Sequence, residues 1–337
     1  MAFGRFRKRS RWSRFPFDGA KGIKRMDSGT NTEAEIVFAH EELRLRVSPH
    51  GASLRGLWRE QSGIVEPIIT AYSGGANKVG GQGDVLIPFP GRVKDGQYTF
   101  EGHTYQMPYN DKDGPNAIHG FVRSQLWHVA EHRKNRVTFV VDYAPDTTAY
   151  PAALQASVTY SLDESGMTCR FSVKNMGYKA APVGVGFHPY FTVSDGLIDA
   201  DTLHLPMQSV LEFGDALIPT GRVLPVDDSP LDFTSPRAIA GTQLNTCYGD
   251  PIRDAEGKTH IQLSSPEMNR STTVWMDDSF GFVVLYSGDP LPESHRRRAL
   301  AIEPMTCGSD AFNHPEWGLV ALPAGETFSG AWGVTVK

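Results

Sequence analysis

Glu303 lies in the run Leu300-Ala-Ile-Glu-Pro-Met305, where every neighbour is apolar or proline. Burying a carboxylate raises its pKa and makes it a better base near neutral pH. Pro304 restricts Glu303 to extended backbone, which narrows where its side chain can point. His188 has the same local design, with Val185 and Phe187 before it and Pro189 after. An imidazole titrates near neutral pH and gives or takes a proton with little penalty. Taken singly, each has an ordinary alternative: a strand-end glutamate facing water or an arginine, and a core histidine satisfied by backbone groups. Two more polar residues stand at chain reversals. His119 precedes Gly120 and follows the loop-like Asn110-Asp-Lys-Asp-Gly-Pro115, while Arg92 follows the turn signal Pro90-Gly91. Gly120 lets the backbone approach a ligand or adopt an unusual conformation. A guanidinium is a forked donor suited to vicinal hydroxyls or a carboxylate, although an arginine after a turn is usually a solvated surface group.

Other chemistries lack their residues. There is no HExxH, and the eleven histidines show no pair at metal-ligand spacing, so no metal is expected. Ser73-Gly-Gly-Ala76 and Gly80-Gly-Gln-Gly83 lack a following Lys-Ser/Thr and read as loops rather than phosphate cradles. No GxSxG elbow occurs, and Asp227-Asp228 and Asp277-Asp278 read as turn acids.

The elements that must hold these groups are strands. Leu43-Arg-Leu-Arg-Val47 alternates strictly, as do Leu154, Ala156, Val158, Tyr160 and Leu162. After Asp163-Glu-Ser-Gly166 the alternation resumes at Cys169, Phe171 and Val173, which predicts a hairpin. Further strands are predicted over 137–143, 183–187, 272–276, 281–286, 300–302 and 332–336. Helical periodicity is scarce. Gly (34) and Pro (23) are spread throughout rather than gathered in a linker, which argues for one all-β domain, a sandwich or barrel, over 32–337.

Within residues 1–25 nine basic residues face one acid, a charge of +8 that leaves −13 on the rest of a chain whose net charge is −5. Residues 1–31 read as a basic, disordered arm with no apolar segment of signal type. The acidic body offers no surface for nucleic acid. Apolar runs such as Phe282-Val-Val-Leu-Tyr286 fall far short of the ~20 residues of a membrane span. Three scattered cysteines, with no CxxC pair, point to reduced thiols in a cytoplasm-like compartment.

Four segments together resemble the aldose 1-epimerase (galactose mutarotase-like) family. They are Pro90-Gly-Arg-Val-Lys-Asp-Gly-Gln-Tyr-Thr-Phe-Glu-Gly102, Asn116-Ala-Ile-His-Gly-Phe121, Gly186-Phe-His-Pro-Tyr-Phe191 and Ala301-Ile-Glu-Pro-Met-Thr-Cys307, followed by Gly330-Ala-Trp-Gly333. The resemblance covers most of 34–336. It implies a large twisted antiparallel β-sandwich with a sugar site on a concave face, and a cofactor-free enzyme, monomer or homodimer, acting on a small sugar. It further implies that Glu303 is the general base and His188 the general acid, on opposite sides of one sugar ring, with Arg92 and His119 holding hydroxyls and the ring oxygen. Family members usually carry an aspartate that binds hydroxyls where this chain reads Leu244-Asn-Thr-Cys-Tyr248. Asn245 keeps the hydrogen-bonding capacity without the charge, which bears on substrate choice more than on reaction type.

The implied reaction is opening of the C1–O5 bond and reclosure on the other face, interconverting α and β anomers. Three rivals remain. A glycoside hydrolase needs a second carboxylate about 5–9.5 Å from the first, where this chain offers histidines. A non-catalytic carbohydrate-binding protein on the same fold is kept open by Asn245. A hexose-6-phosphate 1-epimerase needs added cations, for which Arg123 and the run Arg296-Arg-Arg298 are candidates.

Overall fold

The computed structural model describes residues 34–72 and 74–336, so the arm expected over 1–31 lies outside the described residues. Strict alternation yields the clearest strands. In Leu154–Asp163 the side chains of Leu154, Ala156, Val158, Tyr160 and Leu162 are buried, and those between them are not. Burying a large aliphatic or aromatic side chain contributes roughly 1.5–3 kcal/mol. A one-residue slip would turn the whole set toward water, so pattern fixes register. The predicted hairpin forms with Asp163 opposite Gly166 and Leu154 opposite Asn175.

Two large antiparallel sheets result. The nine-stranded sheet runs in the order His128–Arg133, Arg136–Tyr143, Leu154–Asp163, Gly166–Asn175, Thr327–Val336, Arg270–Met276, Thr259–Ser265, Thr202–His204 and Arg237–Ala238. The 12-stranded sheet holds, in order, Ile36–His40, Leu43–Ser48, Ser53–Gln61, Ile64–Ile69, Tyr190–Phe191, Leu300–Met305, Phe282–Tyr286, Asn245–Pro251, Met207–Phe213 and Pro219–Pro225, with Val85–Leu86 and Gly186–Phe187 off this path. One apolar core draws on both sheets. Phe187 of the larger packs against Phe171 and Trp332 of the smaller, with ring centroids 6.3 and 5.5 Å apart. The fold is the large antiparallel β-sandwich that the resemblance implies. No described helix is long and apolar enough to cross a membrane.

Two predicted strands differ where proline or glycine intervenes. The stretch 183–187 is split: Ala181–Val183 pairs with Val320–Leu322, and Gly186–Phe187 joins the 12-stranded sheet. The strand predicted over 300–302 runs on to Met305, through Pro304. Asn245–Pro251 has too many small and polar residues to be read as a strand. It is held as one because it pairs on both sides, with Met207–Phe213 and Phe282–Tyr286.

Candidate active site

Leu300–Met305 carries Glu303 in the middle of the larger sheet. On one side it pairs with Phe282–Tyr286, with Val284 opposite Glu303. On the other its partner is interrupted. Gly186 pairs with Met305 and Tyr190 with Ala301, leaving His188 and Pro189 between them. That register sets His188 opposite Glu303. Pro189 and Pro304 have no N–H to donate, so the ladder opens here without stranding a backbone donor. The His188 N–H instead donates to the Asp84 carbonyl at 3.1 Å, and the His188 carbonyl accepts from Gly83 N–H at 2.9 Å. Nε2 of His188 lies 3.3 Å from Oε1 of Glu303, and the two residues are only 6% and 3% exposed.

Opposed residues of an antiparallel ladder share a face. Cys247, Val284 and Glu303 therefore form one row, and Asn245, Tyr286, Ala301 and Tyr190 form the next. This is the outer face of the sandwich. Two small apolar clusters flank Glu303 on it: Leu211, Cys247, Met305, Cys307 and Trp317 toward one end, and Tyr190, Ala299 and Ala301 with Tyr286 toward the other. The neighbours on the opposite parity, Ile302 and Leu300, face the main core.

Burial dominates the electrostatics. It pushes Glu303 well above the usual carboxylate range, a rise that the Arg92 charge opposes and the Asp84 charge reinforces. Burial also drives His188 down to about 3, helped by the positive charge of Lys78. Both groups are thus pressed toward their neutral forms, so the pair favours holding a single proton. Their contact leaves no ring-sized gap between them. The expected placement on opposite sides of one sugar gives way to a side-by-side arrangement, because the ladder makes them cross-strand neighbours.

Arg92 and His119 arrive on a separate two-stranded ribbon, in which Arg92–Val93 pairs with Ala117–Ile118. His119 and Gly120 both take positive φ, 62° and 67°. A Cβ at Gly120 would lie 2.0 Å from the Ile87 carbonyl oxygen, so only glycine fits. The His119 ring, held well below its ordinary pKa by burial, accepts a hydrogen bond at Nδ1 from Gly91 N–H at 3.3 Å. Its neutral ring therefore carries its proton on Nε2. It meets His188 edge to face, with centroids 5.6 Å apart. Arg92 donates from Nε to Asp111 at 2.8 Å and from Nη2 to Asp113 at 3.1 Å. Burial would raise Asp111, but hydrogen bonds from Arg92 and Asn116 bring it below its ordinary value. Asn245 is half-buried at the end of the tyrosine row.

Three features were not read from sequence. The Gly80–Gly83 loop packs on His188, so close that a Cβ at Gly81 would lie 2.3 Å from the imidazole Cδ2. Tyr190 stacks on the same ring, with centroids 5.1 Å apart and planes 9° from parallel. Asp84, buried between Lys78 and Arg123, closes that loop. The glycine spacing was visible, but what it covers was not. Of the candidate cations, Arg297 is engaged by Asp199, Asp289 and the carbonyls of Ala240 and Thr242, so it ties loops together. All three cysteines are free and buried.

The family model for aldose 1-epimerase matches residues 35–334. The uncharacterized protein YihR of Escherichia coli K12 is 33% identical over 68% of this chain and 71% of its own length. Human galactose mutarotase is 24% identical over 90% of this chain and 94% of its own. Among solved structures, a GalM/aldose epimerase homologue from C. elegans superposes with a TM-score of 0.80 at 19% identity, covering 90% of this chain and 99% of that one.

Proposed function

This chain belongs to the aldose 1-epimerase family of isomerases that act on carbohydrates, and we propose that it interconverts the α and β anomers of a free aldose through the His188–Glu303 pair. The single observation that carries this reading is the buried contact of that imidazole and that carboxylate, 3.3 Å apart. The anomeric hydroxyl and the ring oxygen of an aldose are bonded to the same carbon. Two proton-transfer groups that serve them must stand side by side, as these do.

In the proposed cycle Glu303 takes the proton of the anomeric hydroxyl while His188 gives one to the ring oxygen, and the C1–O5 bond opens. Rotation about C1–C2 presents the other face of the aldehyde. The ring recloses with the roles exchanged, so the pair ends with the proton count it began with. A sugar hydroxyl donating to the carboxylate, together with the Arg92 charge, favours ionised Glu303. His119 donates from Nε2 to a sugar oxygen, and Tyr286 and Tyr190 offer an apolar floor. Each positioned acid or base contributes about 10²–10⁴-fold.

A second reading, an aldose with an anionic substituent such as a hexose 6-phosphate, is favoured by Lys78 and Arg123 beside the pair. Both already lean on Asp84, so the neutral sugar asks for less rearrangement. Anomer-resolved NMR on glucose, galactose, arabinose, xylose and glucose 6-phosphate tests both. Accelerated exchange of a neutral sugar supports the first reading, and acceleration of the phosphate alone supports the second. Sugar binding by calorimetry without accelerated exchange on any of them would make the protein a binder and end both.

A further inference from the structure

The loop over 78–84 forms one built unit around His188. Asp84 N–H donates to the Gly81 carbonyl at 2.9 Å, closing a turn that lays Gly81 on the imidazole. The main chain of Gly83 and Asp84 brackets His188 with the two hydrogen bonds already described. The Asp84 side chain is 1% exposed, and among the described residues only cations engage its oxygens: Lys78 Nζ pairs with Oδ1, and Arg123 Nη1 lies 3.5 Å from Oδ2. A carboxylate at this depth needs such partners, because an unpaired buried charge is strongly destabilising. Lys78 belongs to the loop itself, and Arg123 lies three residues beyond Gly120 on the segment that carries His119. The ion cluster thus joins the two segments that enclose the imidazole.

Resting on the acid–base reading above, we propose that Asp84 is a positioning residue for His188: its carboxylate clamps the glycine loop onto the imidazole and balances the two cations held there. The groups facing His188 are Glu303 from the central strand, His119 from the ribbon, Tyr190 from its own segment, Lys78 and Asp84 from the loop, and Arg123. Both cations act against protonation of His188, and Asp84 acts against ionisation of Glu303. Removing the anion and removing a cation therefore move the pair's titrations in opposite directions, which loss of packing alone does not do.

The test uses full-length Asp84→Asn, Lys78→Met and Arg123→Met proteins, compared by pH–rate profiles of anomer exchange. Both limbs are expected to move about one pH unit toward acid in Asp84→Asn and about one toward alkali in either cation variant. Lys78→Met added to Asp84→Asn returns the profile toward the parent. Should Asp84→Asn alone fail to fold, the Lys78→Met/Asp84→Asn protein compared with Lys78→Met isolates the anion: limbs displaced toward acid relative to Lys78→Met support the proposal, and limbs that coincide with it overturn the proposal. Shifts of one sign in all variants, or lower rates on unmoved limbs, overturn the proposal. Ring resonances of His188 in histidine-labelled protein report the same shifts without turnover, so an inactive parent would refute the acid–base reading and still leave this one decided.

Discussion

Glu303→Gln separates a base from a fixture. Glutamine matches glutamate in size and can accept a hydrogen bond, but it neither holds nor releases a proton near neutral pH. If Glu303 moves the anomeric proton, the variant loses about 10²–10⁴-fold in rate, equivalent to about 3–5 kcal/mol of transition-state stabilisation. Stability should change the other way. Burial holds the folded-state pKa of Glu303 well above its ordinary value of 4.5. A raised pKa means that the carboxyl favours the folded state below its unfolded pKa. That contribution is lost as pH rises through the folded pKa, at up to about 1.4 kcal/mol per pH unit. Glutamine has no such loss. The stability of Glu303→Gln relative to the parent is therefore flat below about pH 4.5 and climbs above it. Urea unfolding from pH 5 to pH 9 reads the second effect, and polarimetry on the best sugar reads the first. A variant that turns over at the parental rate, or whose stability tracks the parent at every pH, would falsify the assignment of a buried, proton-carrying base.

Three further outcomes follow from the same geometry. His188→Asn should lose less stability than the parent on acidification: the imidazole is held at about 3 against an ordinary 6.5, so the parent loses up to about 1.4 kcal/mol per pH unit as pH falls through that window. Parallel urea midpoints at pH 7, 5 and 4 would contradict this. Gly81→Ala should cut turnover by about 10²-fold, because its new methyl lands on His188 Cδ2 while the backbone conformation stays allowed. A rate within about twofold of the parent would remove the proposed contact from the mechanism. Asn245→Asp should raise kcat/KM by about fivefold for those aldoses whose hydroxyl reaches it, since a charged acceptor is worth roughly 1 kcal/mol more than a neutral one. Equal kcat/KM changes across all epimers would place Asn245 outside the sugar's reach.

How far the residues could be read in advance depended on how local their signals are. Strands with a strict period of two, such as Leu154–Asp163, declared themselves, because one buried face is written into one segment. Pro219–Pro225 is exposed over nearly its whole length and is a strand only because it hydrogen-bonds to Met207–Phe213. No local pattern announces a strand of that kind. Glu303 and His188 were visible as polar groups in apolar runs, each followed by a proline. Gly81 and Asp84 were not, because a glycine's lack of a side chain means nothing until the ring it covers is known.

The chain itself determined the inventory: a β-rich body, two prolines that deny the ladder a donor, and four chemically capable residues in segments of family type. Only the tertiary structure decided that His188 stands opposite Glu303. Cross-strand register between segments more than 100 residues apart is set by the packing of the whole sheet, not by either segment. The same long-range pairing brought the imidazole and the carboxylate into direct contact. It also placed Lys78, Asp84 and Arg123 beside them, where buried charge acts over short distances that sequence separation does not reveal.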